Sequence, residues 1–329
     1  MKRLLFAVVA AVVLQAAPAA AQYSMRRTPE LVQLEDAAHG IVVAIAPSAG
    51  NLTREMTVKG DNILGPLGIP FLAPWANRLD EQAFYANGKR YALNMELGNV
   101  RGAHPIHGFL SAAAWEVVEA KADSGSAWVT SRLEFFRQPD WMAQFPFAHT
   151  IDMTHRLRDG VLDITVQLHN ISAAPMPVAI GFHPYFRLTD APRDAWTIAL
   201  GARTEWVLAD DKIPTGETHP IERRFPDPRA AALRDHDLDH VFGDLIRDAS
   251  GRAAMSVAGR SQKIDVTFGP NYRAVVVYAP AGRDFICFEP MAGITDALNL
   301  AHSGKYSDLQ YIPAGGTWKE SFWIRPSGF

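Results

Sequence analysis

Apolar and polar residues alternate one by one along much of this chain, and that period of two constrains its fold more than any other feature. In the run LDITVQLH at residues 162–169, Leu162, Ile164, Val166 and Leu168 fall on one side and Asp163, Thr165, Gln167 and His169 on the other, the pattern of a half-buried strand. The same rhythm recurs in WVTSRLEF at 128–135 and IDVTF at 264–268. Residues 274–279 (AVVVYA) are instead continuously apolar, as in a strand covered on both faces. Turn-forming clusters at Asp159-Gly160, Asn170-Ile171-Ser172, Asp248-Ala249-Ser250-Gly251 and Pro280-Ala281-Gly282 separate such runs at spacings that suit antiparallel pairing. The 22 prolines argue against a helical bundle. Only short helices are expected, the best of them over Pro228 to Arg234. The predicted fold class is all-β.

Composition narrows the function. Hydrophobic residues make up 48% of the 329 and charged residues 20%, the balance of a globular protein. Lys and Arg number 32 against 35 Asp and Glu, with no basic run, which argues against nucleic acid as a partner. Met1-Lys2-Arg3, the apolar stretch from Leu4 to Leu14, and Pro18 before Ala19-Ala20-Ala21 read as a secretory signal peptide, cleaved near Ala21/Gln22. No later stretch approaches a transmembrane length. The expectation is a periplasmic or secreted protein with no membrane partner after cleavage. Its single cysteine, Cys287, leaves no internal disulfide to stabilise it. No linker divides the remainder, so residues 22–329 are expected to form one domain, as a monomer or homodimer.

Four islands place proton-moving or hydroxyl-binding residues inside apolar or Pro/Gly-rich sequence. They are PWANRL at 74–79, HPIHGF at 104–109, GFHPYF at 181–186 and CFEPM at 287–291. Glu289 ends the strand-like run FICF at 285–288 and precedes Pro290, which cannot continue a central ladder. A carboxylate there either faces solvent or is buried with a perturbed pKa, as general bases often are. His183, locked between Phe182 and Pro184 after an apolar strand, is either a core histidine or a proton-transfer group. His104 and His107 with His183 and Glu289 offer the types of a three-His-one-Glu metal set, but the alternate-residue H-x-H spacing is absent and Pro105 interrupts the pair, so no metal is expected. Arg78 beside Asn77 can clamp hydroxyls or form a surface ion pair. The acidic tract at 235–240, which contains Asp239, reads either as a solvated loop or as the source of one carboxylate for a polyol. Nucleotide-binding glycine motifs and the G-x-S-x-G elbow are missing. Cys287, in an apolar strand, is a poor nucleophile.

Taken in order, these islands resemble the aldose 1-epimerase (galactose mutarotase) family. The resemblance rests on NRL at 77–79; PIHGF at 105–109; Asn170 with MPV at 176–178 and GFHPYF at 181–186; IPTGE at 213–217; LDHVF at 238–242; and FEP at 288–290 with DALN at 296–299. It implies a β-supersandwich of antiparallel sheets with an open sugar cleft, and an isomerase that interconverts α and β anomers of free aldohexoses without a cofactor. Glu289 matches the family's general base and His183 its general acid; His107, Arg78, Asp239 and, beside them, Asn77 match sugar-holding positions. A base that starts ionised and an acid that starts protonated imply a pH profile falling on both sides of a near-neutral optimum. Trp75 and Trp206 are candidate stacking surfaces for the sugar. Phe109 departs from the family, many of whose members carry a second glycine there. Two alternatives remain at this point: a hexose-phosphate epimerase on the same fold, with Arg187 or Arg101 helping to hold the phosphate, and a periplasmic carbohydrate-binding protein without catalysis.

Overall fold

The structure, a computed structural model, describes residues 21–329. The expected leader lies outside the described residues apart from Ala21. Two large antiparallel sheets dominate. The first has nine strands in the order Glu116–Ala122, Ala127–Glu134, His149–Arg158, Val161–Asn170, Thr317–Ser327, Lys263–Phe268, Ala253–Ala258, Thr197–Leu200 and Ala231–Ala232. The second runs Pro214–Pro220, Ala202–Leu208, Leu238–Leu245, Ala274–Ala279, Ile286–Met291, Gly181–Phe182 and Phe71–Leu72, with Tyr185–Phe186 also paired to Ile286–Met291. A five-stranded sheet over Tyr23–Arg27, Val32–Asp36, Ile41–Ala46, Leu52–Val58 and Asp61–Asn62 completes the N-terminal part.

The alternation is realised as written. His149–Arg158 and Val161–Asn170 bury every second residue, and a two-residue turn at Asp159-Gly160 joins them. Both turn residues have positive φ, 49° and 73°, as a hairpin turn matched to strand twist requires. Ala274–Ala279 lies inside its sheet with only Tyr278 partly exposed. The two large sheets meet through aromatic packing such as Phe182 on Phe322, ring centroids 4.8 Å apart.

Three expectations are corrected. No helix forms over 228–234: Ala231–Ala232 pairs with Thr197 and Ile198 to close a sheet edge, and a 3-10 turn, Leu233–Asp235, follows. Burying Ala231 and Leu233 at that edge outweighs the helix-start signal of Pro228. Among the described residues the two short α-helices are Pro139–Gln144 and Ala297–His302. The strand carrying Glu289 continues through Pro290 to Met291. Pro290 pairs only with Val275, because Gly181 meets the strand at Met291 and Tyr185 meets it at Cys287, so the proline interrupts a single ladder. Finally, the acidic tract is no loop at Asp239, since the strand Leu238–Leu245 begins before it and buries Leu238, Val241 and Phe242.

Histidines occupy two core positions of His149–Arg158. Burial holds His155 in its neutral form, pushing its pKa down to about 3, and its Nδ1 has no partner among the described residues. His149, bonded through Nδ1 to Phe147 O at 2.7 Å, is pushed down to about 4, again by burial. The unfolded chain therefore binds protons that the folded one refuses between about pH 6.5 and pH 3, and stability falls as pH drops through that window. His155→Leu, which keeps an apolar side chain at that site, is expected to remove about 2–3 kcal/mol of the loss between pH 7 and pH 4.5. Urea unfolding at both pH values checks this; equal losses in wild type and variant would refute it.

Candidate active site

Strand register assembles the site. Side chains of directly paired residues share a face of a sheet, and Asp239, Tyr278, Cys287 and Tyr185 are paired in one row across four strands. Glu289 stands two residues beyond Cys287 and so projects from the same face. Phe288, between them, points the other way and packs with Phe186. His183 precedes Tyr185 by two residues, and its ring lies against Tyr185 at 4.5 Å, nearly parallel. The alternation that buries this sheet thus delivers its polar exceptions to one place. Asp239, Tyr278, Tyr185, Glu289 and His183 line a cleft of about 460 Å³ with Asn77, Arg78, Val100, Arg101, Ile106 and His107, a volume within the usual range for small-molecule sites.

At the floor, His183 Nε2 lies 3.2 Å from Glu289 Oε1. Glu289 is 1% exposed, and its other carboxyl oxygen, Oε2, has no hydrogen-bond partner among the described residues. Burial raises the Glu289 carboxyl well above the ordinary carboxylate range; Asp239 pushes the same way and Arg78 opposes it. Burial also lowers His183, to about 4. The pair consequently holds one proton over a wide pH span, as ion pair or as neutral acid and imidazole. Opposing shifts of this kind bring those two forms close in energy, which suits groups that exchange proton-transfer roles.

The wall is built by two tight turns that hold each other. Asn77 and His107 both adopt left-handed backbone, φ 58° and 60°. The His107 N–H donates to Asn77 O at 2.9 Å, and the Asn77 N–H donates to His107 Nδ1 at 3.1 Å. With Nδ1 accepting, the His107 proton is assigned to Nε2, making that nitrogen a donor. Burial first, then His183, Arg78 and Arg101, keep His107 neutral, with its pKa lowered to about 3. Asn77 Oδ1 accepts from the Arg78 N–H at 2.9 Å and from Nη1 at 3.0 Å, while Nη2 faces Asp239 Oδ2 at 3.7 Å. Asn77 therefore aims Arg78 from the wall.

All six residues singled out from the sequence line this cleft: Glu289, His183, His107, Arg78, Asp239 and Asn77. The other side chains weighed from the sequence lie elsewhere. His104 is turned away, its Nδ1 on Leu79 O at 2.9 Å and its Nε2 3.6 Å from Asp211. Trp75 is 2% exposed, packed edge-on against Phe109 at 5.7 Å, and Trp206 packs on Tyr306; neither lines the cleft. Tyr185 and Tyr278 are the aromatic surfaces instead. Tyr278 was legible as the one polar-tipped residue in AVVVYA, but only register shows it opposite Asp239. Asp296, which the resemblance includes in DALN without a role, supports the site from behind. It is buried, its N–H donates to Arg78 O at 3.0 Å, and its Oδ1 accepts from the Asp80 N–H at 3.1 Å, so it fastens the turn behind Arg78. Burial and the neighbouring Asp80 push its pKa up to about 8.

Comparison with known proteins matches this architecture. The fold superposes on a galactose mutarotase-like protein from Clostridium acetobutylicum with a TM-score of 0.81 and 19% identity, covering 93% of this chain and 98% of that one. A galactose 1-epimerase from Lactobacillus acidophilus gives a TM-score of 0.73 and 15% identity, over 93% and 98% of the two chains. The protein Slr1438 from Synechocystis gives 0.72 and 26%, over 92% and 97%. A family model described as aldose 1-epimerase matches residues 40–325. All-β sandwich and family agree, and the chain belongs to the aldose 1-epimerase family of isomerases.

Proposed function

We propose that the protein interconverts the α and β anomers of an aldohexose, with Glu289 as base and His183 as acid. The supporting observation is their contact at 3.2 Å on the cleft floor. Mutarotation opens the ring by removing the proton of the anomeric hydroxyl and adding one to the ring oxygen. Both oxygens are bonded to the same carbon, so base and acid must be neighbours. Glu289 takes the hydroxyl proton on its unpartnered Oε2, His183 Nε2 protonates the ring oxygen, and the bond from the anomeric carbon to the ring oxygen breaks to give the aldehyde. Rotation about the adjacent carbon–carbon bond and the reverse transfers close the other anomer. The pair holds one proton before and after opening, so no exchange with solvent is needed within a turnover. His107 Nε2, Arg78, Asp239 and Asn77 supply donors and acceptors for the sugar hydroxyls. A binding protein without catalysis has no use for a buried carboxyl adjoining a buried imidazole, both displaced from their ordinary pKa.

Polarimetry of freshly dissolved α-D-glucose and α-D-galactose tests the reading; a well-folded protein that accelerates neither would refute it. The pH dependence is a sharper test. Only the one-proton pair is active, so kcat/KM falls on the acid side when a second proton enters and on the alkaline side when the last one leaves. Burial has lowered His183 to about 4 and raised Glu289. The profile is therefore expected to stay level through pH 6.5, declining only toward pH 4 and again well above the ordinary carboxylate range. This replaces the near-neutral bell expected from ordinary pKa values. An acid limb centred near 6.5, with the fold intact by circular dichroism, would overturn the one-proton assignment.

A further inference from the structure

The charged groups of the cleft nearly cancel, and the remainder points to a feature of the substrate. Arg78 faces Asp239 at 3.7 Å, and His183 with Glu289 holds one proton, so each couple is neutral overall. His107, whose Nδ1 accepts a backbone N–H, adds no charge. Arg101 is left over. It sits on the short hairpin of Val100–Arg101 and His104–Pro105 that borders the cleft, it is exposed, and among the described residues no carboxylate pairs with it. Its charge reaches the interior, where, after burial and the nearer charges, it helps to keep His107 neutral and opposes the burial-driven rise of the Tyr185 pKa. Arg187, the other cation near these motifs in sequence, is absent from the cleft and spends its Nε on Asn62 O at 3.0 Å.

We infer that Arg101 is a specificity residue that favours an aldose carrying one negative group, carboxylate or phosphate, away from its anomeric carbon. The anomeric carbon must lie at the buried Glu289 and His183, so the far side of the sugar is directed to the cleft mouth, where Arg101 stands. A guanidinium forks its donors onto two oxygens of either anion, and the match to a planar carboxylate or a phosphate is equally good. A neutral hexose leaves this cation solvated and gains nothing from it. The inference rests on the mutarotase reading above and refines it.

The test measures initial mutarotation rates for glucose, glucuronate and glucose 6-phosphate with wild type, Arg101→Gln and Arg101→Lys. Wild type is expected to show a higher kcat/KM for at least one anionic sugar than for glucose, chiefly through a lower KM, and to lose that preference at high salt. A charge-assisted hydrogen bond contributes enough for the anion-to-neutral ratio to fall about 10-fold or more in Arg101→Gln. Arg101→Lys should restore part of it. Which anion shows the preference identifies a uronate or a phosphorylated sugar as the substrate class. Acceleration of glucose with no anionic preference would overturn this inference and leave the mutarotase reading standing, as would a preference that Arg101→Gln leaves intact. Acceleration of none of the three would overturn both.

Discussion

Glu289→Gln is expected to lower the enzyme-catalysed mutarotation rate by about 10² to 10⁴, the usual contribution of one positioned proton-transfer group. The amide keeps the size of the carboxyl but cannot accept the anomeric proton. His183→Asn should cost a comparable factor, because the ring oxygen then lacks its donor. The double variant should lose little more than either single one, since the two side chains handle one proton between them and removing either leaves that proton without a route. Folding supplies an internal control. Glu289 is buried, which raises its pKa, so a neutral amide there should leave the melting temperature near or above that of wild type. Polarimetry beside a thermal melt reads both quantities. Full activity in Glu289→Gln would remove the base assignment, and strictly multiplicative losses would show that the two residues act independently.

How much of this was legible in the sequence depends on range. Strands whose side chains alternate, such as Val161–Asn170, announce themselves because burial on one face imposes a two-residue period. Five of the six residues around the cleft stood out for a related reason, each being a polar interruption in apolar or turn-forming sequence; Asp239, inside an acidic tract, was marked only by the family resemblance. Pairing between distant strands was not legible. Nothing local places Tyr278 beside Asp239 or turns His104 away from His107, because both depend on register between segments far apart in the chain. The helix expected over 228–234 failed on the same ground, since its start signal is local and the edge that claims Ala231 lies over Thr197–Leu200. Burial is likewise a tertiary property. It lowers His183 out of the usual histidine range, which the sequence alone could not show.

The other large effect is expected at a residue with no side chain. Gly108 has φ +58°, and a Cβ there would lie 2.0 Å from the carbonyl oxygen of Ala73 and 2.7 Å from the nitrogen of Pro74. These are backbone atoms, and the Ala73 oxygen is already engaged, accepting the Phe109 N–H at 3.0 Å. Gly108→Ala must therefore push two turns apart and also hold alanine in a left-handed conformation, at a combined cost of about 3 kcal/mol or more. The displacement falls next to His107, whose reciprocal bonds with Asn77 set the direction of Arg78. A shift of about 1 Å in a positioned group can cost about 10² in rate, so kcat/KM should drop by a factor of that order even in the fraction that folds. Gly88→Ala is the control: φ is +72° but nothing lies within 4 Å of its Cβ, so only the conformational cost of about 1 kcal/mol applies. Chemical unfolding and initial rates on both variants separate contact from conformation. If Gly108→Ala were no more harmful than Gly88→Ala, the close approach to Ala73 could not be what holds the His107 turn against the Asn77 turn.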